Sequence, residues 1–175
     1  VDTNGSVKRI NNNRINDNAP VTMRGGILVY SGIAREDVGE RFGALTIAEG
    51  GNTLTANSGG GDFVTTFLSF PSLTRAAGTT VNFTGTNIGQ PGNAARIVFD
   101  TGLPSQPNGI LGAWAIANWT DYAAYDPING VGVVGQGGFG AYDSTFGSNK
   151  NTQLVAVLDT TTALPAGGAT AAVLK

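Results

Sequence analysis

Phe42-Gly43-Ala44-Leu45-Thr46-Ile47-Ala48-Glu49-Gly50-Gly51-Asn52-Thr53-Leu54-Thr55-Ala56 is the stretch that decides how the chain is read. Side chains alternate faces along an extended strand, so Leu45 and Ile47 share one side while Thr46 and Ala48 share the other. Gly50-Gly51-Asn52 then breaks the run with residues that tolerate φ > 0, the mark of a tight corner. A second alternating piece, Thr53-Leu54-Thr55, starts at once. Strand, glycine corner, strand is the grammar of a solenoid.

The pattern returns on both sides. Val21-Thr22-Met23, Arg24-Gly25-Gly26 and Ile27-Leu28-Val29-Tyr30 repeat it upstream, and Thr80-Val81-Asn82-Phe83-Thr84-Gly85 repeats it downstream, with Val81 and Phe83 expected inside. Between them, Phe63, Phe67 and Leu68 or Phe70 compete for the interior, and Pro71 is expected to end that strand. Ile33–Glu40 reads as an exposed loop or one helical turn, because Gly39 and four charges interrupt it. Arg96–Phe99, Val131–Val134, Gln153–Leu158 and Ala169–Leu174 supply further strands, and residues 139–150 read as loop. Residues 1–14 form a polar, turn-rich lead-in with a short strand near Val7–Ile10.

Composition agrees. Only 13% of the 175 residues are charged, while 27 are glycine and 41% are hydrophobic. That balance suits short strands closed by tight turns and gives no amphipathic helical run. Strands at intervals of eight to twenty residues fit an antiparallel β-sandwich or a barrel as well as a solenoid. The two or three inward residues per strand, the Gly/Asn corners and the recurring apolar-x-apolar-x-Gly motif favour the solenoid.

Gly25–Val29, the Gly43–Ile47 and Gly50–Thr55 pair, Leu68–Arg75 with Thr80–Gly85, and Asn108–Ala115 followed by Asp121–Asp126 and Gly130–Val133 resemble autotransporter-associated β-strand repeats. The resemblance covers roughly residues 15–175 and rests on the order of the motifs. It implies a right-handed parallel β-helix, an exported bacterial rod with a structural or adhesive role, and a location outside the cell or on its surface. No catalytic residue or cofactor comes with it. The chain then reads as a single segment, 1–175, cut from a longer repeat protein. Its ends are expected to continue into further repeats or to associate with another copy, and surface glycans are the expected ligands.

The functional classes narrow further. Histidine and cysteine are both absent, which removes the commonest general base, the usual metal ligands and disulfides. A net charge of −2 with one basic pair, Lys8-Arg9, gives no footprint for nucleic acid. No apolar run is long enough to span a membrane. Catalysis is therefore not expected, and neither a catalytic, a cofactor nor a metal residue is assigned. Gly60-Gly61-Asp62 and Gly137–Asp143 lack the spacing of calcium-binding β-rolls. The sequons at Asn4, Asn82 and Asn118 arise readily in an Asn- and Thr-rich chain.

One constellation stands out. Trp119, Asp121, Tyr122, Tyr125 and Asp126 place two carboxylates among aromatic rings, a pattern that suits a carbohydrate contact. The blander reading makes the acids turn caps and the rings core, with Trp114 and Trp119 stacked inside. Threonine runs such as Thr79-Thr80 and Thr160–Thr162 read as the outer face of strands. The second functional class is a carbohydrate-active β-helix, a polysaccharide lyase or tailspike-like hydrolase, which needs acids converging on one face.

Overall fold

The computed structural model describes residues 14–59, 64–102, 105–142, 147–152 and 171–174. The expected strands at Val7–Ile10 and Gln153–Leu158, the Gly60–Asp62 loop, Phe63, Asn4 and Thr160–Thr162 lie outside them. Among the described residues the chain is all-β, and one 3-10 turn, Pro107–Gly109, is the only helical piece.

The strands are β1 (Val21–Arg24), β2 (Ile27–Ser31), β3 (Val38–Arg41), β4 (Leu45–Glu49), β5 (Gly51–Asn57), β6 (Thr66–Arg75), β7 (Thr80–Gly85), β8 (Ala95–Gly102), β9 (Ala115–Ala117), β10 (Asp121–Asp126), β11 (Gly130–Val133), β12 (Gly147–Thr152) and β13 (Ala171–Leu174). A five-stranded sheet runs β1-β4-β6-β3 with β8 also on β6, and a six-stranded sheet runs β11-β10-β9-β7-β5-β2. β12 and β13 pair separately, in parallel.

Direction and register are the telling features. From β1 to β9 every described pairing is parallel: β1 on β4, β4 on β6, β2 on β5, β5 on β7, β7 on β9, β3 on β6, and β6 on β8. Like residues meet like across these pairs. Val21, Leu45 and Leu73 align in one ladder, and Leu28, Leu54 and Phe83 in another. Antiparallel pairing begins at β9 and continues through β10 to β11, so the six-stranded sheet is mixed.

The core is a column. Phe42, Phe70 and Phe99 stack at 5.6 and 5.9 Å between ring centroids, and Tyr125 continues the column at 5.7 Å. Leu45, Ile47, Leu54, Leu68, Phe83 and Ile97 surround it, each fully buried. Every such side chain contributes roughly 1.5–3 kcal/mol on leaving water.

The corners carry their own hydrogen bonds. Gly25, Gly50 and Gly78 all hold positive φ where one strand turns into the next. Asn52, buried on β5, accepts the Gly25 and Gly26 N–H groups at Oδ1, at 2.9 and 3.2 Å. Its Nδ2 donates to the carbonyls of Glu49, Gly50 and Thr80. One amide thus ties three successive corners together, which satisfies backbone groups that burial would otherwise orphan.

Polar contacts fasten the segments on either side of this body. On the N-terminal side, buried Glu40 accepts the backbone N–H groups of Arg14 and Ile15, and Arg14 lies over the Tyr30 ring. At the far side, the Tyr125 hydroxyl accepts from Phe99 N (2.8 Å) and donates to Phe99 O (3.0 Å), so it occupies the free edge of β8. Arg96 donates to Ile128 O beside it.

Three expectations need correction. Pro71 does not end its strand: β6 runs through it, with a register shift between Phe70 and Ser72; it pairs with β3 before the shift, with β4 after it, and with β8 on both sides of it. A residue without an N–H fits such an irregularity. Val38–Arg41 is strand rather than loop, because the Glu40 carboxylate finds backbone donors that make its burial affordable. Residues 147–150 belong to β12 instead of a loop. The contest in β6 goes to Leu68 and Phe70, while Phe67 faces out under Arg96.

Candidate functional site

The site is built on the outward face of the six-stranded sheet. Val81 and Phe83 of β7 point inward, so Asn82 points out. Register then lays Ile27, Thr53, Asn82, Ile116 and Tyr122 in one row across β2, β5, β7, β9 and β10. The Ile27 end of this row is 73% exposed.

The β9–β10 hairpin adds the indole. Three residues, Asn118 to Thr120, connect the paired Ala117 and Asp121, and Thr120 N–H closes a β-turn onto Ala117 O around Asn118 and Trp119, both at positive φ (50° and 58°). Such turns prefer Asn followed by Gly, and a bulky residue in the second place costs on the order of 1 kcal/mol or more. Three contacts hold the turn in place. Asn118 Oδ1 accepts Gly85 N–H at 3.0 Å, Asn118 N donates to Phe83 O, and Trp119 N donates to Asn82 Oδ1 at 3.2 Å. The ring is thereby presented to solvent, 72% exposed. Trp119 is therefore not a core residue; its turn geometry, set by Asn82 and Gly85, turns it outward.

Two cavities flank this ring. One, of about 380 Å³, is bordered by Trp114, Trp119, Ile116, Thr53, Thr80 and Asn82. The other, of about 240 Å³, is bordered by Ile116, Trp119, Thr120, Asp121 and Tyr122. Arg75 sits over the Trp114 ring at 5.1 Å and fixes it. The larger cavity has amide and hydroxyl groups between two indoles and no charged side chain in its wall.

The other candidates divide. Asp121 and Tyr122 border the smaller cavity. Asp121 Oδ1 accepts from Tyr122 N and from the Tyr142 hydroxyl, whose proton is held well above the ordinary tyrosine range, first by burial and then by that bond. Tyr122 packs with Phe139 and Tyr142 against a small second cluster of Ile110, Ala124 and Val134. Tyr125 is a correction: its ring is in the core column and its hydroxyl is committed to Phe99, so no surface ligand reaches it. Asp126 caps the turn after β10, its Oδ1 accepting from Ile128 N and Asn129 N.

Asp121 and Asp126 do not form a catalytic pair. They stand at opposite ends of β10 and on opposite faces, about 17 Å apart at ~3.4 Å per residue. Glycoside hydrolysis needs its carboxyl groups within about 5–10 Å. Among the described residues no group of three or more acidic side chains gathers to hold a metal. The Asn82 and Asn118 sequons serve the sheet and the hairpin: Asn82 is buried and the Asn118 amide is bound on both sides to Gly85.

Sequence reasoning found Trp119, Asp121 and Tyr122 but missed Asn82, Thr53 and Trp114 as their companions. The signal was the outward parity of Asn82 between Val81 and Phe83. Comparison with protein families, with curated proteins and with solved structures finds no match.

Proposed function

We propose that this chain is a segment of a right-handed parallel β-helix that works as a rigid structural or adhesive rod in an exported bacterial surface or fibre protein. The observation that carries the reading is the register. Each of three consecutive strands pairs in parallel with the strand one circuit later, so that β1, β2 and β3 lie beside β4, β5 and the first half of β6. The second half of β6, with β7 and β8, repeats the step. Right-handedness follows from the strong preference of parallel crossovers for that hand. Each circuit then adds about 4.8 Å of length, and its stability depends on its immediate neighbours.

In such a rod, function lies in stiffness and in the side walls. β1, β2 and β3 each end a sheet path among the described residues, which supports continuation into further repeats or contact with another copy on that side. Low charge and the absence of cysteine and histidine accord with a structural role beyond the cell. The alternative, a polysaccharide lyase or hydrolase, has no support from the separated Asp121 and Asp126. The test is electron microscopy with small-angle scattering, combined with incubation on a panel of polysaccharides. Elongated particles and no released oligosaccharide are the expected result. Globular particles, or depolymerised substrate, would remove the proposal.

A further inference from the structure

We propose that the outer face of β5, β7 and β9, with the β9–β10 hairpin, binds an uncharged oligosaccharide, which sits on the Trp119 indole and reaches into the cavities on either side of it. This deepens the adhesive side of the reading above but stands on its own geometry, since the strands that form the site are described whatever the overall winding.

Four observations converge. Trp119 is held outward in a backbone conformation that bulky residues avoid, and Asn82 and Asn118 bond the hairpin in that position. Strain retained at an exposed aromatic residue is the kind of feature that marks a binding position. Second, Asn82 is 3% exposed, and its Nδ2 has no hydrogen-bond partner among the described residues, while its Oδ1 is already engaged by Trp119 N–H. A buried donor without a partner is costly, and an acceptor oxygen arriving in the cavity that Asn82 borders would relieve that cost.

Third, the wall of the larger cavity sets two indoles and an aliphatic side chain, Trp114, Trp119 and Ile116, against the neutral donors and acceptors Thr53, Thr80 and Asn82. A pyranose matches this pattern. Its C–H face lies on an indole, and its ring hydroxyls meet amide and hydroxyl groups. A charged ligand would find no counter-ion in that wall. Fourth, Ile116 and Trp119 border both cavities, so the indole forms a ridge with a depression on each side. A ligand of two or more linked rings uses both; a single ring uses one.

The experiment follows tryptophan emission and calorimetric heat during titration with neutral mono-, di- and tetrasaccharides of glucose, mannose, xylose, galactose and N-acetylglucosamine. The expected result is saturable binding of at least one series, with the di- or tetrasaccharide at least about tenfold tighter than its monosaccharide. Trp119→Ala should weaken binding by about tenfold or more, and Ile27→Ser, on the same row but away from both cavities, should leave it unchanged. Asn82→Asp keeps the acceptor for Trp119 N–H and removes the free donor, and should also weaken it; circular dichroism checks that the variant remains folded. No saturation by any sugar, or unchanged affinity in Trp119→Ala, would overturn the proposal. So would sedimentation showing a dimer that Trp119→Ala dissociates, because the indole would then belong to an interface between copies. The rod reading would survive each of these outcomes.

Discussion

The body from β1 to β9 and the cap from β9 to β11 use the same strands-and-glycine vocabulary to opposite effect. In the body, partners come from distant parts of the sequence, and like side chains stack on like: Phe42 on Phe70 on Phe99, Thr46 Oγ1 on Thr74 Oγ1 at 3.1 Å, Thr55 Oγ1 on Thr84 Oγ1 at 2.6 Å. In the cap, partners are joined by short turns, and small residues such as Ala123, Gly130 and Gly132 allow close approach. Gly130, for example, lies where a Cβ would stand 2.4 Å from Ile97 O. The body is joined by parallel pairing and like-on-like stacking. The cap places one side chain, Tyr125, on the edge of β8 that a further strand would use.

The largest break in this comparison comes from the column. Phe70→Ala, which removes the ring between Phe42 and Phe99, should cost about 3–5 kcal/mol in urea unfolding. The loss should reach β3 and β8, the parallel neighbours of β6, in hydrogen exchange.

Next is the corner clamp. Asn52→Ala strands the Gly25 and Gly26 N–H groups and takes a donor from the Glu49 and Thr80 carbonyls, while Gly50 O keeps the Thr80 N–H, and should cost about 2–4 kcal/mol. The same change at Asn118, whose amide serves only Gly85, should cost about 1 kcal/mol. Equal losses at the two positions in chemical denaturation would mean that body and cap do not differ as described.

Tyr125→Phe keeps the column ring and removes the edge cap. A loss of about 1–3 kcal/mol is expected, with faster exchange at the Phe99 amide.

Alkali probes the same contact more gently. Tyr30, Tyr125 and Tyr142 are all pushed above the ordinary value of 10.0, burial being the first cause in each. The unfolded chain therefore loses these protons first. Their contribution to stability is complete below pH 10 and is lost as pH rises through the higher folded values. The urea midpoint should accordingly hold steady from about pH 8 to about pH 9.5 and fall beyond that, and by less in Tyr125→Phe.

These contrasts also explain what the sequence could convey. Leu45, Ile47, Leu54, Val81 and Phe83 were legible as inward residues because strand alternation is local. Phe42, Phe70 and Phe99 recur at intervals of 28 and 29 residues, a signal that was present but diluted by insertions at the corners. Glu40 and Trp119 were not legible. Burial of Glu40 depends on N–H groups 25 and 26 residues away, and exposure of Trp119 depends partly on Asn82, 37 residues away. The site had the same difficulty: Asp121 and Tyr122 lie beside Trp119 in sequence, whereas Asn82 and Thr53 reach it only through pairing.

Because the chain has no native cysteine, engineered pairs can test the winding directly. Thr46→Cys with Thr74→Cys, and Thr55→Cys with Thr84→Cys, join directly paired positions on adjacent parallel strands. Thr22→Cys with Thr74→Cys spans two steps of the same ladder. Under mild oxidation the first two pairs should close into intramolecular disulfides and the third should not. Closure of the third pair, or failure of both of the others in folded protein, would contradict the stacked parallel circuits on which the account depends.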